Sequence, residues 1–363
     1  MLRARLGRVE VGLGLPVRII GAINVSPESF YGGSVAASPE DAVRMASRML
    51  EEGADVIDVG GMSTAPYVDS RLVPPEVEAS RVVPAVRAIS RELGAVVSVD
   101  TIRARVAEAA IGAGAEVVND VSGCKADPEM ARVVGSSGAS AILGEREEET
   151  PAAGSPIESI RRGLSDALRI CESAGVDPSR VAVDPGIGFF RRTGMEWHEW
   201  DAAVLRGLGR LLALLRPIVI GVSRKSFIGK ILGLPDPRDR LIGTVAAEAI
   251  AVFAGAHAVR AHDVREAAQA ARIGEALRAP PRSSGAVLDL TRLLGPEDGV
   301  APGEAAFAVP ARAEELAGPL GGIGGRAIEV APGATLAIVP IGSCGRLRGS
   351  GNPALESMAE LCA

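Results

Sequence analysis

Asn24, Asp58, Asp100, Asn119, Asp184, Lys225, Arg260 and His262 are the residues of this chain best suited to hold a small polar molecule, and each stands in or just after a short apolar run. Asp100 in "VSVDT" and Asn119 in "VVNDVSG" can together read the donors and acceptors of a planar heterocycle, because an ionised Asp only accepts whereas Asn does both. Asp100 has an alternative role as the N-cap of the following helix. Asp184 in "VAVDPGIGFF" suits two parallel N–H donors such as a guanidine-like edge, and Phe189 or Phe190 could cover the ring. Asn24 in "GAINVSPESF" offers an amide oxygen to a hard cation or an amide nitrogen to a phosphate. Asp58 is either an internal carboxylate held by hydrogen bonds or a ligand contact. Arg224, Lys225, Arg260 and His262, in "GVSRKSFIG" and "RAHD", supply the cationic character a phosphate site needs. His257 reads as a core histidine, and His198 has no evident partner.

Composition sharpens this choice. Lysine occurs three times against thirty-six arginines, and asparagine and histidine three times each. Against that bias, Lys225, Asn24, Asn119 and His262 mark positions where residue type matters. An ammonium on a flexible stem can enter a pocket for a flat ring where a guanidinium fork is bulkier and differently aimed.

The elements that must position these residues are β-branched runs at 17–20, 55–60, 95–100, 116–120, 139–143, 181–185, 217–223 and 258–262. Most are continuous apolar runs, the pattern of parallel strands covered on both faces. Helical segments such as 38–54, 104–115 and 157–175 alternate with them; Ser38 with Pro39 reads as a helix start and Gly53 as its end. Eight strands alternating with helices predict a (β/α)8 TIM barrel, with an open doubly wound sheet as the alternative. In such a barrel, chemistry gathers at the C-terminal strand ends, and phosphate binds after the seventh and eighth strands. Gly60 and Gly61, after the second run, let backbone approach a ligand.

The barrel is expected over 1–282. A linker near 279–285 leads to a small β-rich C-terminal appendage, 283–363, with strand-like pieces at 286–290, 326–331 and 335–342 and no chemical motif. The net charge of −6 argues against nucleic acid as a partner. No apolar run approaches the ~20 residues that cross a bilayer, and the N-terminus lacks a signal-peptide cleavage site, so a cytoplasmic protein without membrane contact is expected. Cys124, Cys171, Cys344 and Cys362 are far apart without C-x-x-C spacing; they read as buried or incidental thiols, neither zinc ligands nor disulfides.

The blocks "GAINVSPESF", "DVIDVGGMST", "VSVDT", "VVNDVSG", "VAVDPGIGF", "GVSRKSFIG" and "VRAHD" resemble, in order and spacing, the motifs of the dihydropteroate synthase family, over residues 15–275. The resemblance implies a TIM barrel, usually dimeric, that joins dihydropterin-6-hydroxymethyl pyrophosphate to p-aminobenzoate and releases pyrophosphate with Mg²⁺. It implies that Asp100, Asn119, Asp184 and Lys225 read the pterin, that Asn24 binds Mg²⁺ and pyrophosphate, and that Arg260 and His262 hold the phosphates. Thr64, Ser226 and the loops 24–36 and 61–73 would form the arylamine side. Pyrophosphate departure would leave a pterin-conjugated cation that Asp100 stabilises, so no protein nucleophile is needed. The family's "GGESTRPG" is "GGMSTAPY" here, so Met62 and Ala65 replace Glu and Arg; "LGEREEETPAAG" replaces a Met-His motif, and "GFFRRTG" replaces "GFGKT". Arg71 is a candidate to supply the missing loop charge. The competing readings are a methyltetrahydrofolate-dependent methyltransferase and a non-catalytic pterin-binding protein.

Overall fold

The computed structural model describes residues 2–26, 35–62, 73–146, 154–279, 281 and 283–362. Its first element, an antiparallel hairpin of β1 (Arg3–Leu6) and β2 (Val9–Gly12), is too short to show in the apolar runs of the sequence. Gly7 turns the hairpin with φ +61, and its amide donates to Ser140 Oγ at 2.9 Å. Ala4, Leu6 and Val11 pack against Ile20, Val56, Val117, Ile142 and Val219, so the hairpin plugs the lower end of the barrel.

The eight runs form β3 (Arg18–Asn24), β4 (Val56–Gly60), β5 (Val97–Asp100), β6 (Val117–Asp120), β7 (Ser140–Leu143), β8 (Val181–Val183), β9 (Val219–Ile220) and β10 (Ala258–Ala261). They pair in parallel in the order β8-β7-β6-β5-β4-β3-β10-β9. A parallel bridge between Val183 and Ile218 joins the ends of that row and closes the barrel, as expected. The run at 217–223 gives only two strand residues. Pro217 has no amide donor, and beyond Gly221 the chain turns away, with Arg224 at φ +55.

Helices α1 (Pro39–Glu51), α2 (Pro75–Leu93), α3 (Ala104–Ala113), α4 (Met130–Ser137), α5 (Pro156–Ser173), α6 (Trp197–Arg206), α7 (Ser226–Leu232), α8 (Leu241–Phe253) and α9 (Val264–Leu277) surround the strands. Ser38 caps α1 as expected, accepting from the Asp41 amide at 3.1 Å, and Gly53 follows the helix at φ +109. Strand alternation sorts the core. Ile19 and Ile23 pack outward towards the helices, whereas Ile20 faces the barrel interior.

The C-terminal segment bears out the expected β-rich appendage and corrects it only by adding two helices. It folds as β11 (Ser283–Ser284), β12 (Val287–Asp289), β13 (Glu304–Val309), α10 (Ala313–Gly321), β14 (Arg326–Ala331), β15 (Ala334–Pro340) and α11 (Pro353–Leu361), with the antiparallel order β11-β12-β13-β15-β14. The period-two pattern explains its placement. Ala306, Ala308, Leu336 and Ile338 join the barrel's outer core, whereas Ala305, Phe307, Val309, Ala337 and Val339 face α10 and α11. The sheet is therefore a layer between barrel and helices. A second correction concerns the cysteines: Cys344 and Cys362 form a disulfide, brought together by the turn before α11, while Cys124 and Cys171 are buried thiols as expected. No helix among the described residues is long and apolar enough to cross a membrane.

Candidate active site

Parallel pairing sets the strand ends at one level: Asn24 is in register with Gly60, Gly60 with Asp100, and Asp100 with Asn119. The polar residues therefore meet at one mouth because the strands end together. A Cβ at Gly60 would lie 3.6 Å from both Asn24 Oδ1 and Asp100 Oδ2, so the glycine leaves the space between them open.

Beneath the mouth, Arg260 organises two carboxylates. Its Nε donates to Asp58 Oδ2 at 2.6 Å and its Nη2 to Asp100 Oδ2 at 2.9 Å, while Asn119 Nδ2 donates to Asp58 Oδ2 at 3.1 Å. Asp58 is thus an internal carboxylate held by hydrogen bonds, the first of its two sequence readings, and Asp100 is directed at the pocket instead of capping α3. Asp58 Oδ1 and Asp100 Oδ1 are buried without hydrogen-bond partners, acceptors that N–H groups of a bound ring would satisfy. On the opposite wall, Asp184 Oδ1 accepts from the Gly186 amide at 2.7 Å. Gly186, at φ +69, has no alternative: a Cβ there would fall 1.7 Å from the Glu145 carbonyl oxygen.

Lys225 donates to the Ile187 carbonyl and lies 4.7 Å from the centroid of the Phe189 ring. The two phenylalanines divide as the sequence allowed: Phe189 borders the site, and Phe190 is fully buried, stacked on Trp200 at 5.1 Å. Ser226 opens α7 and accepts from Arg191 Nη2 at 2.8 Å. Thr64 and Arg71 lie outside the described residues, as does Ala65; Met62 is buried.

Charge at the site follows from burial. Three carboxylates, Asp58, Asp100 and Asp184, share two cations, Arg260 and Lys225, so the cluster is short of positive charge. Burial is the main cause that pushes the Asp100 carboxyl up to about 7; Arg260 pulls it back, and Asp58 adds to the rise. Burial also pushes Asp184 up, against Lys225. The Lys225 ammonium falls to about 8, again chiefly through burial, with Asp184 and Asp201 holding its proton on.

Two expected phosphate cations behave differently. Arg224 is structural: its fork binds Asp263 at 2.7 and 2.9 Å, and its Nη1 donates to the Pro237 and Arg238 carbonyls. His262 is neutral near pH 7, because burial and then Arg260, Arg224 and Lys225 depress it to about 3, and its Nδ1 shares a 3.0 Å hydrogen bond with Ser223 Oγ. His257 is the core histidine expected, its Nδ1 accepting from the Ile218 amide at 3.1 Å. Asp201 escaped the sequence reading because it lies inside α6; it is buried and accepts from the Gly188 amide at 2.9 Å, fixing the loop that carries Phe189. No group of three or more His, Cys, Asp or Glu able to hold a metal occurs among the described residues. A hard cation at Asn24 would therefore need its remaining ligands from a substrate's oxygens and water, the usual habit of Mg²⁺.

Comparison with known proteins agrees with this geometry. A family model described as "Pterin binding enzyme" matches residues 20–262. Dihydropteroate synthase of Mycobacterium leprae is 40% identical over 280 residues, covering 74% of this chain and 96% of the relative. The solved dihydropteroate synthase of Xanthomonas albilineans with 4-aminobenzoic acid superposes with a TM-score of 0.68 at 33% identity, covering 77% of this chain and 99% of that one. The same enzyme in complex with 7,8-dihydropteroate gives a TM-score of 0.65 at 32% identity, covering 77% and 100%. The matches leave the C-terminal sheet outside.

Proposed function

This chain belongs to the pterin-binding enzyme family, and from that premise we propose that it is a dihydropteroate synthase: it condenses dihydropterin-6-hydroxymethyl pyrophosphate with p-aminobenzoate or a related arylamine and releases pyrophosphate. The observation that carries this reading is the cluster of Asp58, Asp100, Asn119, Asp184, Lys225 and Arg260 at one barrel mouth, with two buried carboxylate oxygens awaiting donors. A pterin presents an amino group and ring N–H groups that match Asp184 and Asp100, while Lys225 donates to its acceptor edge.

The reaction breaks the C–O bond between the pterin methylene and pyrophosphate, forms a C–N bond to the arylamine, and releases one proton. Asp100 lies where positive charge on the pterin is stabilised as the leaving group departs, and Phe189 flanks the ring. His262, with Ser223 behind it, offers a neutral N–H to the leaving phosphate. Arg260 serves the phosphates only as far as its bonds to Asp58 and Asp100 permit, so its larger part is to hold those carboxylates in place. Asn24 would hold Mg²⁺, which would neutralise charge on the departing pyrophosphate.

The exposed apolar face of α8 and α9 supports a homodimer. α8 carries one charged residue, the buried Glu248, yet Ile242 is 84% exposed, with Ile250, Phe253, Ile273 and Leu277 also exposed. A helix so apolar throughout needs covering on its outer side. Ile242→Glu together with Phe253→Glu is expected to give a monomer in light scattering. Biosynthesis of a small-molecule product supports a cytoplasmic setting, a compartment in which a structural disulfide such as Cys344–Cys362 is rare.

Pyrophosphate release from the pterin substrate, measured with a panel of arylamines, tests the proposal. Release dependent on an arylamine supports it. Binding of methylated folate with no response to phosphate would favour the methyltransferase reading, and pterin binding without turnover the non-catalytic one.

A further inference from the structure

Helix α6 grips the loop that follows β8 at two points. Trp200 stacks on Phe190 with ring centroids 5.1 Å apart, and the next residue, Asp201, accepts from the Gly188 amide through Oδ1 at 2.9 Å. With Gly188 and Phe190 held by the helix, the groups between and before them are turned towards Lys225. The Ile187 carbonyl receives its ammonium, and the centroid of the Phe189 ring lies 4.7 Å from it. The loop also touches the stem of that side chain: a Cβ at Gly188 would lie 3.1 Å from Lys225 Cδ, and φ +87 there favours a residue without a side chain.

A carboxylate is an expensive choice for this position of α6. Asp201 is 1% exposed, and its Oδ2 has no hydrogen-bond partner. An apolar residue would avoid that cost but leave the buried Gly188 amide without its acceptor. Charge gives the carboxylate a second use. Burial lowers the Lys225 ammonium to about 8; against burial, Asp184 at the end of β8 and Asp201 on α6 hold the proton on, while Arg260 on β10 and Arg191 on the loop push it off. Asp201 is raised by burial to about 6, with Arg191, Lys225 and His198 pulling it back, so it is ionised where Lys225 titrates.

Resting on the synthase reading, we propose that Asp201 is a positioning residue for the pterin: through the Gly188 amide it fixes the carbonyl and the ring that seat Lys225, and its charge faces the ammonium from behind. Asp184 and Asp201 thus flank Lys225 with different tasks. Asp184 meets the pterin, whereas Asp201 acts only through the loop and through Lys225.

The test compares wild type, Asp201→Ala and Asp201→Asn by calorimetry of pterin pyrophosphate binding and by the KM of both substrates in pyrophosphate release. Asp201→Ala leaves the Gly188 amide unsatisfied and should weaken pterin binding about tenfold or more, with KM for the arylamine within about twofold. Asp201→Asn retains an acceptor and should bind within about threefold of wild type at pH 6, where the native carboxyl is itself taking up its proton. As pH rises, its affinity should fall earlier than that of wild type, by about half a pH unit or more, because the charge that favours the ammonium is gone. Coincident pH profiles for wild type and Asp201→Asn, or an equal loss for both substrates in a folded Asp201→Ala, would overturn the assignment. If Asp201→Ala does not fold, the profile of Asp201→Asn decides alone. Wild type that binds the pterin but releases no pyrophosphate with any arylamine would overturn the synthase reading alone; wild type that binds no pterin would overturn both.

Discussion

Replacing Asp58 by Asn keeps the shape of a fully buried side chain and removes its charge, which makes it a direct probe of the cluster. Arg260 would keep its bond to Asp100, and the carbonyl of the substituted amide would still accept from Arg260 Nε. What changes is the like charge beside Asp100, one of the causes that raise its carboxyl to about 7. Two carboxylates on the edges of one guanidinium, roughly 5 Å apart, repel by about 3 kcal/mol at an effective dielectric constant near 20, equivalent to about two pKa units. Asp100 should therefore ionise about one to two units lower in Asp58→Asn, allowing for the weakened hold on Arg260. In the proposed mechanism Asp100 acts as the ionised carboxylate, so activity should be lost as pH falls through its pKa. The acid limb of kcat/KM for the pterin substrate, expected near pH 7 in wild type, should move towards pH 5 to 6. Pyrophosphate release measured from pH 5 to 9 reads that limb directly, and circular dichroism confirms folding. A limb that stays in place in a folded Asp58→Asn enzyme would refute the view that Asp58 sets the ionisation of Asp100.

Lys225→Arg should fold normally and lose at least tenfold in pterin affinity by calorimetry, because the fork cannot replace an ammonium lodged between Ile187, Phe189 and Asp184; near-normal affinity would count against that fit. With Lys225 ionising at about 8, wild-type kcat/KM should fall as pH rises above 8, since the lost proton removes the donor. Glu248 is raised from 4.5 to about 8 by burial, then by Asp263 and Glu266. Its folded form binds the proton more tightly than the unfolded chain, so stability is lost as pH rises from 4.5 to 8 and is level above that. Glu248→Gln should then stabilise the protein at pH 9 by up to about 5 kcal/mol, an upper bound, with little gain at pH 4. An equal gain at both values would exclude an ionisation effect. Cys344→Ser should lower stability by about 3 kcal/mol, the chain-entropy value for closing an 18-residue separation, and the reductant sensitivity of wild-type melting should disappear in the variant.

Much of the site was legible in the sequence because strand ends in a parallel barrel are a one-dimensional feature. A continuous β-branched run followed by Asn, Asp or Lys marks both the strand and the residue it delivers to the mouth, and Asn24, Asp100, Asn119, Asp184 and Lys225 all follow that rule. The rarity of lysine and asparagine strengthened it. What the sequence could not decide was which groups neutralise one another, since that depends on side chains from distant strands. Asp58 and Arg260, 202 positions apart, meet only when the barrel closes; the same closure gives Arg260, the expected phosphate ligand, two carboxylates to hold as well. Burial, a property of the whole fold, makes His262 neutral and lowers the Lys225 ammonium. Likewise, Asp201 on a helix, Arg191 facing Ser226, and the Cys344–Cys362 bond are meetings of elements, with no local spacing to announce them. Residue type and local periodicity thus determined the strands and the candidates, while tertiary closure decided their partners and their charge.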